Sequence, residues 1–345
     1  MAARLRKPPI LLTVVAGPLS AGKTTLINRP LVHPAFAYSA VILNEFGAAS
    51  LQGALIERAD DGIVALGGGC VCCAVRGELV DALENLLRDL DNGRIAALGR
   101  VIIEASTDAD PSAILAGIGM HPYLPMRFRP DGIVTVIGAD DVAALDPQAA
   151  RQLAMADIIA VSRAGGNLAG VAAELARLNP IAAIIDAQTT DPMLLTGHGP
   201  FDPATTDVET WLGPADAAGG THALNVFTVL RQRPILLAAL DRFLDYLAAL
   251  QGPNLLRVRG LVAVEGGESA VVEGIGAFFL PPRLVPSPPG EAATRFSVTA
   301  NGLDRQGFEA YLDAFLNEAR IDTPDRTAIT DNPLRVTGFS ARPGR

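Results

Sequence analysis

Short apolar bursts punctuate the first half of the chain: ILLTVVA from Ile10, SAVILN from Ser39, RVIIE from Arg100, GIVTVIG from Gly132, DIIAVS from Asp157 and AAIID from Ala182. Continuous apolar runs of this kind predict strands buried on both faces. Between most of them lie stretches of helical period, such as GELVDALENLLRDL from Gly77 and LAGVAAELARL from Leu168. Strand–helix alternation predicts an α/β fold, a mostly parallel sheet with flanking helices. From Thr196 the pattern lapses into Gly, Pro, Asp and Thr without a sustained period, which predicts a linker. A second unit follows: strand ALNVFTV, helix PILLAALDRFLDYLAAL, strands LLRVRGLVAV and SAVVEGI, strand TRFSVTA and helix RQGFEAYLDAFLNEA. That order predicts a smaller α+β domain with its helices on one sheet face. The expected division is a first domain over 8–195, a linker over 196–220, a second domain over 221–320 and a poorly ordered tail over 321–345.

Composition narrows the function classes. The 345 residues suffice for two cores, and 49% apolar with only 5% aromatic content suits α/β architecture. A formal net charge of −9, with no basic stripe, argues against a nucleic-acid partner. The apolar run after MAARLRK is short and leads into a glycine loop, so it reads as a first strand rather than a signal peptide. No segment reaches the apolar length needed to span a membrane. The three cysteines are too few and too close for a disulfide scaffold, so a reduced, cytoplasmic setting is expected.

The segment GPLSAGKT, Gly17 to Thr24, satisfies G-x-x-x-x-G-K-[ST] after a buried strand and before a helix. Glycines let the backbone curl so that successive N–H groups point at phosphate oxygens, while the helix terminus adds partial positive charge. Lys23 supplies a cation at the β/γ-phosphates, and the Thr24 hydroxyl is a Mg²⁺ ligand. Glu104, closing the strand RVIIE, stands where such a protein needs a carboxylate for the Mg²⁺ shell.

Cys70, Cys72 and Cys73 are all the cysteines of the chain, and they follow the glycines of GGGCVCC. C-x-C puts two sulfurs on one side of an extended segment, and a helix beginning near Val75 turns the third toward them. A helix N-terminus lowers thiol pKa and favours the thiolate that Zn²⁺ or Co²⁺ takes as ligand. Two other readings stand beside this one: a thiol redox switch, and cysteines packed as small apolar side chains.

GPLSAGKTTLIN, AVILNEFG, GGGCVCCAVRGELVDAL, VIIEASTDADP and LLRVRGLVAVEG, in this order, resemble the CobW-type metallochaperone GTPases. These are SIMIBI-class P-loop proteins that include zinc chaperones and cobalamin-synthesis accessory proteins, and the likeness covers nearly the whole chain. The resemblance implies GTP binding, slow hydrolysis, and delivery of Zn²⁺ or a similar metal to a client metalloprotein. Carried over by position, Gly17, Pro18, Leu19, Ser20, Ala21, Gly22, Lys23, Thr24 and Thr25 hold phosphate. Thr24 and Glu104 serve Mg²⁺, Glu45 belongs to the switch segment, and Cys70, Cys72 and Cys73 take the transferred metal.

The chain also departs from that family. Thr107 stands where a γ-phosphate-sensing glycine belongs, and Ala48 and Gln52 replace two switch carboxylates. The base-reading motif N-K-x-D aligns with Ser162, Arg163, Ala164 and Gly165, which lacks the guanine-binding carboxylate. An unpaired guanine donor costs about 1–3 kcal/mol, so base preference should fall by one or two orders of magnitude, with Arg163 left to stack on any purine. The histidines (His33, His121, His198, His222) are scattered rather than gathered into a metal-loading tract. These losses keep open a second class of function, a nucleotide- or metal-binding module without useful turnover. The sequence leaves the oligomeric state open.

Overall fold

The computed structural model describes residues 8–44, 63–66, 74–199, 201–204, 206–220, 224–288 and 293–316. Its first half is built on β1 (Ile10–Ala16), β2 (Ser39–Asn44), β3 (Ile63–Leu66), β4 (Arg100–Glu104), β5 (Phe128–Gly138), β6 (Ile158–Ser162) and β7 (Ala183–Asp186). They form a parallel sheet in the order β3-β2-β4-β1-β5-β6-β7. Central strands are buried on both faces because successive side chains point opposite ways. Leu12, Val14, Ile42, Ile103, Ile133 and Val161 enter one core layer, whereas Val15, Val41, Ile102, Val136 and Ala160 enter the other.

The first layer packs under α2 (Ala74–Asp91), α3 (Pro111–Gly119), α4 (Pro147–Met155) and α5 (Leu168–Leu178). The second is covered by α1 (Lys23–Leu31), through Leu26 and Ile27, together with Phe36 and Leu195. Helix starts are fixed locally. Asp110 caps α3 by accepting from the Ser112 N–H, and Asp146 caps α4 by accepting from the Ala149 N–H, each with a proline at the first turn.

The second half holds α6 (Val208–Leu212), β8 (Ala218–Gly219), β9 (Leu224–Arg231), α7 (Leu237–Gln251), β10 (Leu255–Ala263), β11 (Glu268–Ile275), β12 (Phe278–Phe279), β13 (Arg283–Pro286), β14 (Thr294–Asn301) and α8 (Arg305–Leu316). An antiparallel sheet runs β12-β11-β10-β14-β9-β8, with β13 on β11. As expected from the pattern, α7 and α8 cover one face, where Phe243, Phe296 and Phe308 meet edge-on. The stretch read as a linker covers the other face: Phe201, Trp211 and Leu212 are buried against Leu261, Val271 and Val285. Val208, Trp211 and Leu212 keep helical spacing on α6, but that helix is barely one turn long, too short to declare a period in a stretch rich in Gly, Pro and Asp.

A buried ionic cluster joins the halves. Asp157, at the entry to β6, accepts from Arg257 at 2.9 Å and from Arg259, both on β10. Burial alone would raise the Asp157 carboxyl, but the two guanidiniums and the Ile133 N–H outweigh it and hold it below its ordinary value. Burial and the neighbouring Arg259 lower Arg257 to about 10 despite Asp157. Arg259 also donates to the carbonyls of Trp211 and His198 and lies over the Trp211 ring at 5.3 Å. Gly132 (φ +118) sits at a bulge in β5, and a Cβ there would fall 2.9 Å from His198 and 3.2 Å from Asp157. Among the described residues no helix is long and apolar enough to cross a membrane.

Candidate functional site

Parallel strands deliver their carboxyl ends to one edge of the first sheet, and the candidate site lies there. Between Ala16 and Lys23 the chain turns through two glycines in left-handed backbone, Gly17 (φ +141) and Gly22 (φ +100), with Ser20 at φ +61. A Cβ on Gly17 would come 2.2 Å from the Val136 carbonyl oxygen, so only glycine lets the loop pass this close to β5. Gly22 caps α1 without a side chain, which leaves the first-turn N–H groups to an external acceptor.

Lys23 is buried, and its Nζ donates to the Gly17 and Pro18 carbonyls at 2.9 and 3.0 Å. Its ammonium therefore arches over the loop it belongs to. The Thr24 hydroxyl donates to the Glu104 carboxylate, 3.0 Å from one oxygen and 3.1 Å from the other. Glu104 is only 1% exposed, and the register Val15↔Glu104 brings it beside the loop. Ala21 is buried, whereas Leu19, Ser20 and Thr25 are exposed.

Ser162 and Arg163, expected at the base, have partners in the phosphate loop. The Ser162 hydroxyl donates to the Ala21 carbonyl at 2.6 Å. Arg163, itself left-handed at φ +55, donates to the Ser20 carbonyl at 3.0 Å and to Asp141 at 2.7 Å. Its guanidinium lies on Gly138, where a Cβ would fall 1.8 Å from Nη2. Asp141 is the residue that sequence reasoning missed; its only signal was the acidic pair in GADD after a strand. Thr107 is not among the left-handed residues, so the backbone freedom of a glycine is not required there. Its carbonyl, with that of Ala109, is fastened by the Gln152 amide at 2.9 and 2.8 Å.

Glu45, Ala48, Gln52, Cys70, Cys72 and Cys73 lie outside the described residues. The flanking described elements are β2, ending at Asn44, and the pair β3 and α2, ending at Leu66 and beginning at Ala74. Among the described residues no group of three or more His, Cys, Asp or Glu side chains is placed to hold a metal.

The family profile of the CobW/HypB/UreG nucleotide-binding domain matches residues 11–188, and that of the cobalamin synthesis protein CobW C-terminal domain matches residues 224–316. The chain belongs to the CobW family. Zinc chaperone YjiA of Escherichia coli (strain K12) is 30% identical to this CobW-family chain over 267 residues, 75% of this chain and 83% of YjiA. Zinc chaperone CobW of Sinorhizobium sp is 32% identical over 148 residues, covering 41% of this chain and 40% of that protein. The crystal structure of Zn(II)-bound YjiA GTPase from E. coli aligns at a TM-score of 0.63 with 19% identity, covering 90% of this chain and 99% of that one, and so shares the fold. Both halves of the CobW-family architecture, the parallel P-loop sheet with flanking helices and the antiparallel C-terminal domain, are therefore present.

Proposed function

We propose that this protein is a nucleotide-dependent metal chaperone that takes Zn²⁺, or Co²⁺ as a close substitute, and passes it to a client metalloprotein with slow hydrolysis of the nucleotide. The observation that carries the reading is the intact phosphate loop, with Lys23 arched over it and Thr24 bonded to Glu104 at 3.0 Å. The relatives named as zinc chaperones support the metal half of the reading. Gly17 to Thr25 would cradle the phosphates, Lys23 would meet the β/γ-oxygens, and Cys70, Cys72 and Cys73 would carry the transferred ion. The Thr24 hydroxyl and the Glu104 carboxylate are hard oxygen donors that fit Mg²⁺, which would neutralise phosphate charge when bound. Glu45 would lie in the segment that responds to the γ-phosphate.

Zinc titration of the full chain, with and without a non-hydrolysable nucleotide, tests the coupling. A change in zinc affinity of about tenfold or more is expected, consistent with couplings of 1–3 kcal/mol between linked sites. Identical affinities would end the chaperone reading while leaving the nucleotide site intact.

Base choice follows from Gly165, which has no side chain to accept from guanine, and from Arg163, which is tied to Ser20 and Asp141. Competition binding should show a GTP advantage over ATP of no more than about tenfold. A hundredfold preference would mean that another segment reads the base.

A further inference from the structure

The two halves enclose a cleft of about 1060 Å³ at the amino ends of β1 and β5, opposite the edge that carries the phosphate loop. Its volume stands at the upper limit of small-molecule sites, about 1,000 Å³. Its walls are apolar for most of their extent, contributed by Leu115 and Ile118 of α3, Phe128 of β5, and Val258, Ile275 and Phe278 of the second sheet. Its ionisable lining is one-sided. Arg127, Arg129, Arg257, Arg259 and Arg283 line it with a single acidic residue, Glu273, and with His198 nearby; Arg127 is paired with Asp91 outside the lining at 2.9 and 3.1 Å, so the surplus of charge rests on Arg129 and Arg283.

Charge balance at the inner end makes this lining informative. Arg257 and Arg259 share Asp157, which lies behind the wall. Arg283, at the outer end, donates to the Phe201 carbonyl. A guanidinium carries five N–H donors in a planar fork suited to carboxylates. Glu273 Oε1 is buried and has no hydrogen-bond partner, an arrangement that folded proteins seldom leave without a use. Burial pushes the Glu273 carboxyl up, against the pull of Arg259, Arg257 and the Phe201 N–H that it accepts from.

We propose that this cleft is a binding site for a small amphipathic anion, a molecule with one carboxylate-type head and an apolar body. The head meets the arginine surplus at Arg129 and Arg283, and the body lies along Ile118, Phe128 and Phe278. The proposal is independent of the chaperone reading, since no residue of the phosphate loop lines the cleft.

The test uses the full chain with saturating nucleotide present throughout, so that the phosphate loop does not compete for the probe. 8-Anilinonaphthalene-1-sulfonate is titrated by fluorescence and then displaced by decanoate, decanol or decylammonium, which share a tail and differ in head charge. Decanoate should displace the probe at least tenfold more effectively than either control. Arg283→Ala, at the exposed rim, should weaken decanoate about tenfold, as expected for loss of a charge-assisted hydrogen bond. Leu280→Trp, which fills the cleft from its partly exposed wall, should weaken probe and decanoate together. Equal displacement by the three ligands would overturn the proposal. So would unchanged decanoate affinity in both variants, each of which can be checked for native circular dichroism.

Discussion

Asp157→Asn is expected to destabilise the protein by about 3–5 kcal/mol, because it strands two guanidiniums in a buried setting. Asp157 is 6% exposed and bonds Arg257 at 2.9 Å as well as Arg259, and its Oδ2 accepts from the Ile133 N–H at 2.8 Å. An amide keeps the shape but loses the charge that both arginines require. Removing Arg257 as well should recover part of the loss, because that guanidinium's desolvation disappears with it. Chemical denaturation of wild type, single and double variants measures both effects. The pH dependence has a definite sign. Surrounding cations hold the Asp157 carboxyl below its ordinary value, so its contribution is fully present above pH ~4 and is lost as pH falls through the lowered value. The stability gap between wild type and Asp157→Asn should therefore be constant from neutrality down to about pH 4 and shrink below it. A gap that widens in acid would mean that Asp157 is not the anion of the cluster.

This cluster also shows where sequence reasoning ends. LLRVRGLVAV announces a strand, and its two arginines fall on one face by period two. Their partner lies about a hundred residues away, and nothing local marks Asp157 as different from any acid before an apolar run. The central strands were legible because burial on both faces leaves an uninterrupted apolar run, as in β1, β4 and β6. β5 begins at Phe128 rather than Gly132 because Pro130 and Gly132 interrupt the run where the strand bulges. β3, β12 and β13, of four, two and four residues, are too short for a period to declare itself.

The candidate site divides in the same way. The phosphate loop was legible because its chemistry is local, with glycines, lysine and threonine at fixed spacing before a helix. The place of Glu104 beside Thr24 was legible from its position at a strand end. The partners of Ser162 and Arg163 were not, because they reach back to Ala21 and Ser20 across the sheet. Both side chains brace the loop from the carboxyl end of β6, beyond β5 in the sheet, and Asp141 secures the second of them.

That bracing makes the last prediction clean. Lys23→Ala should lower phosphate release at least a hundredfold while the loop keeps its form. Gly17 passes so close to Val136 that a Cβ would clash with its carbonyl oxygen, and Ala21 and Ser20 are held by Ser162 and Arg163. What the variant removes is the ammonium that arches over Gly17 and Pro18, the cation proposed to meet developing phosphate charge. Glu104→Gln separates charge from architecture: its amide oxygen still accepts from the Thr24 hydroxyl, but the carboxylate proposed to serve Mg²⁺ is gone. This variant should bind nucleotide with weakened Mg²⁺ dependence and turn it over slowly. Phosphate release by wild type that exceeds the Lys23→Ala control by more than tenfold makes the protein a working nucleotidase despite Thr107 and Gly165. Parity between the two would leave the second function class, a binding module that holds nucleotide without using it.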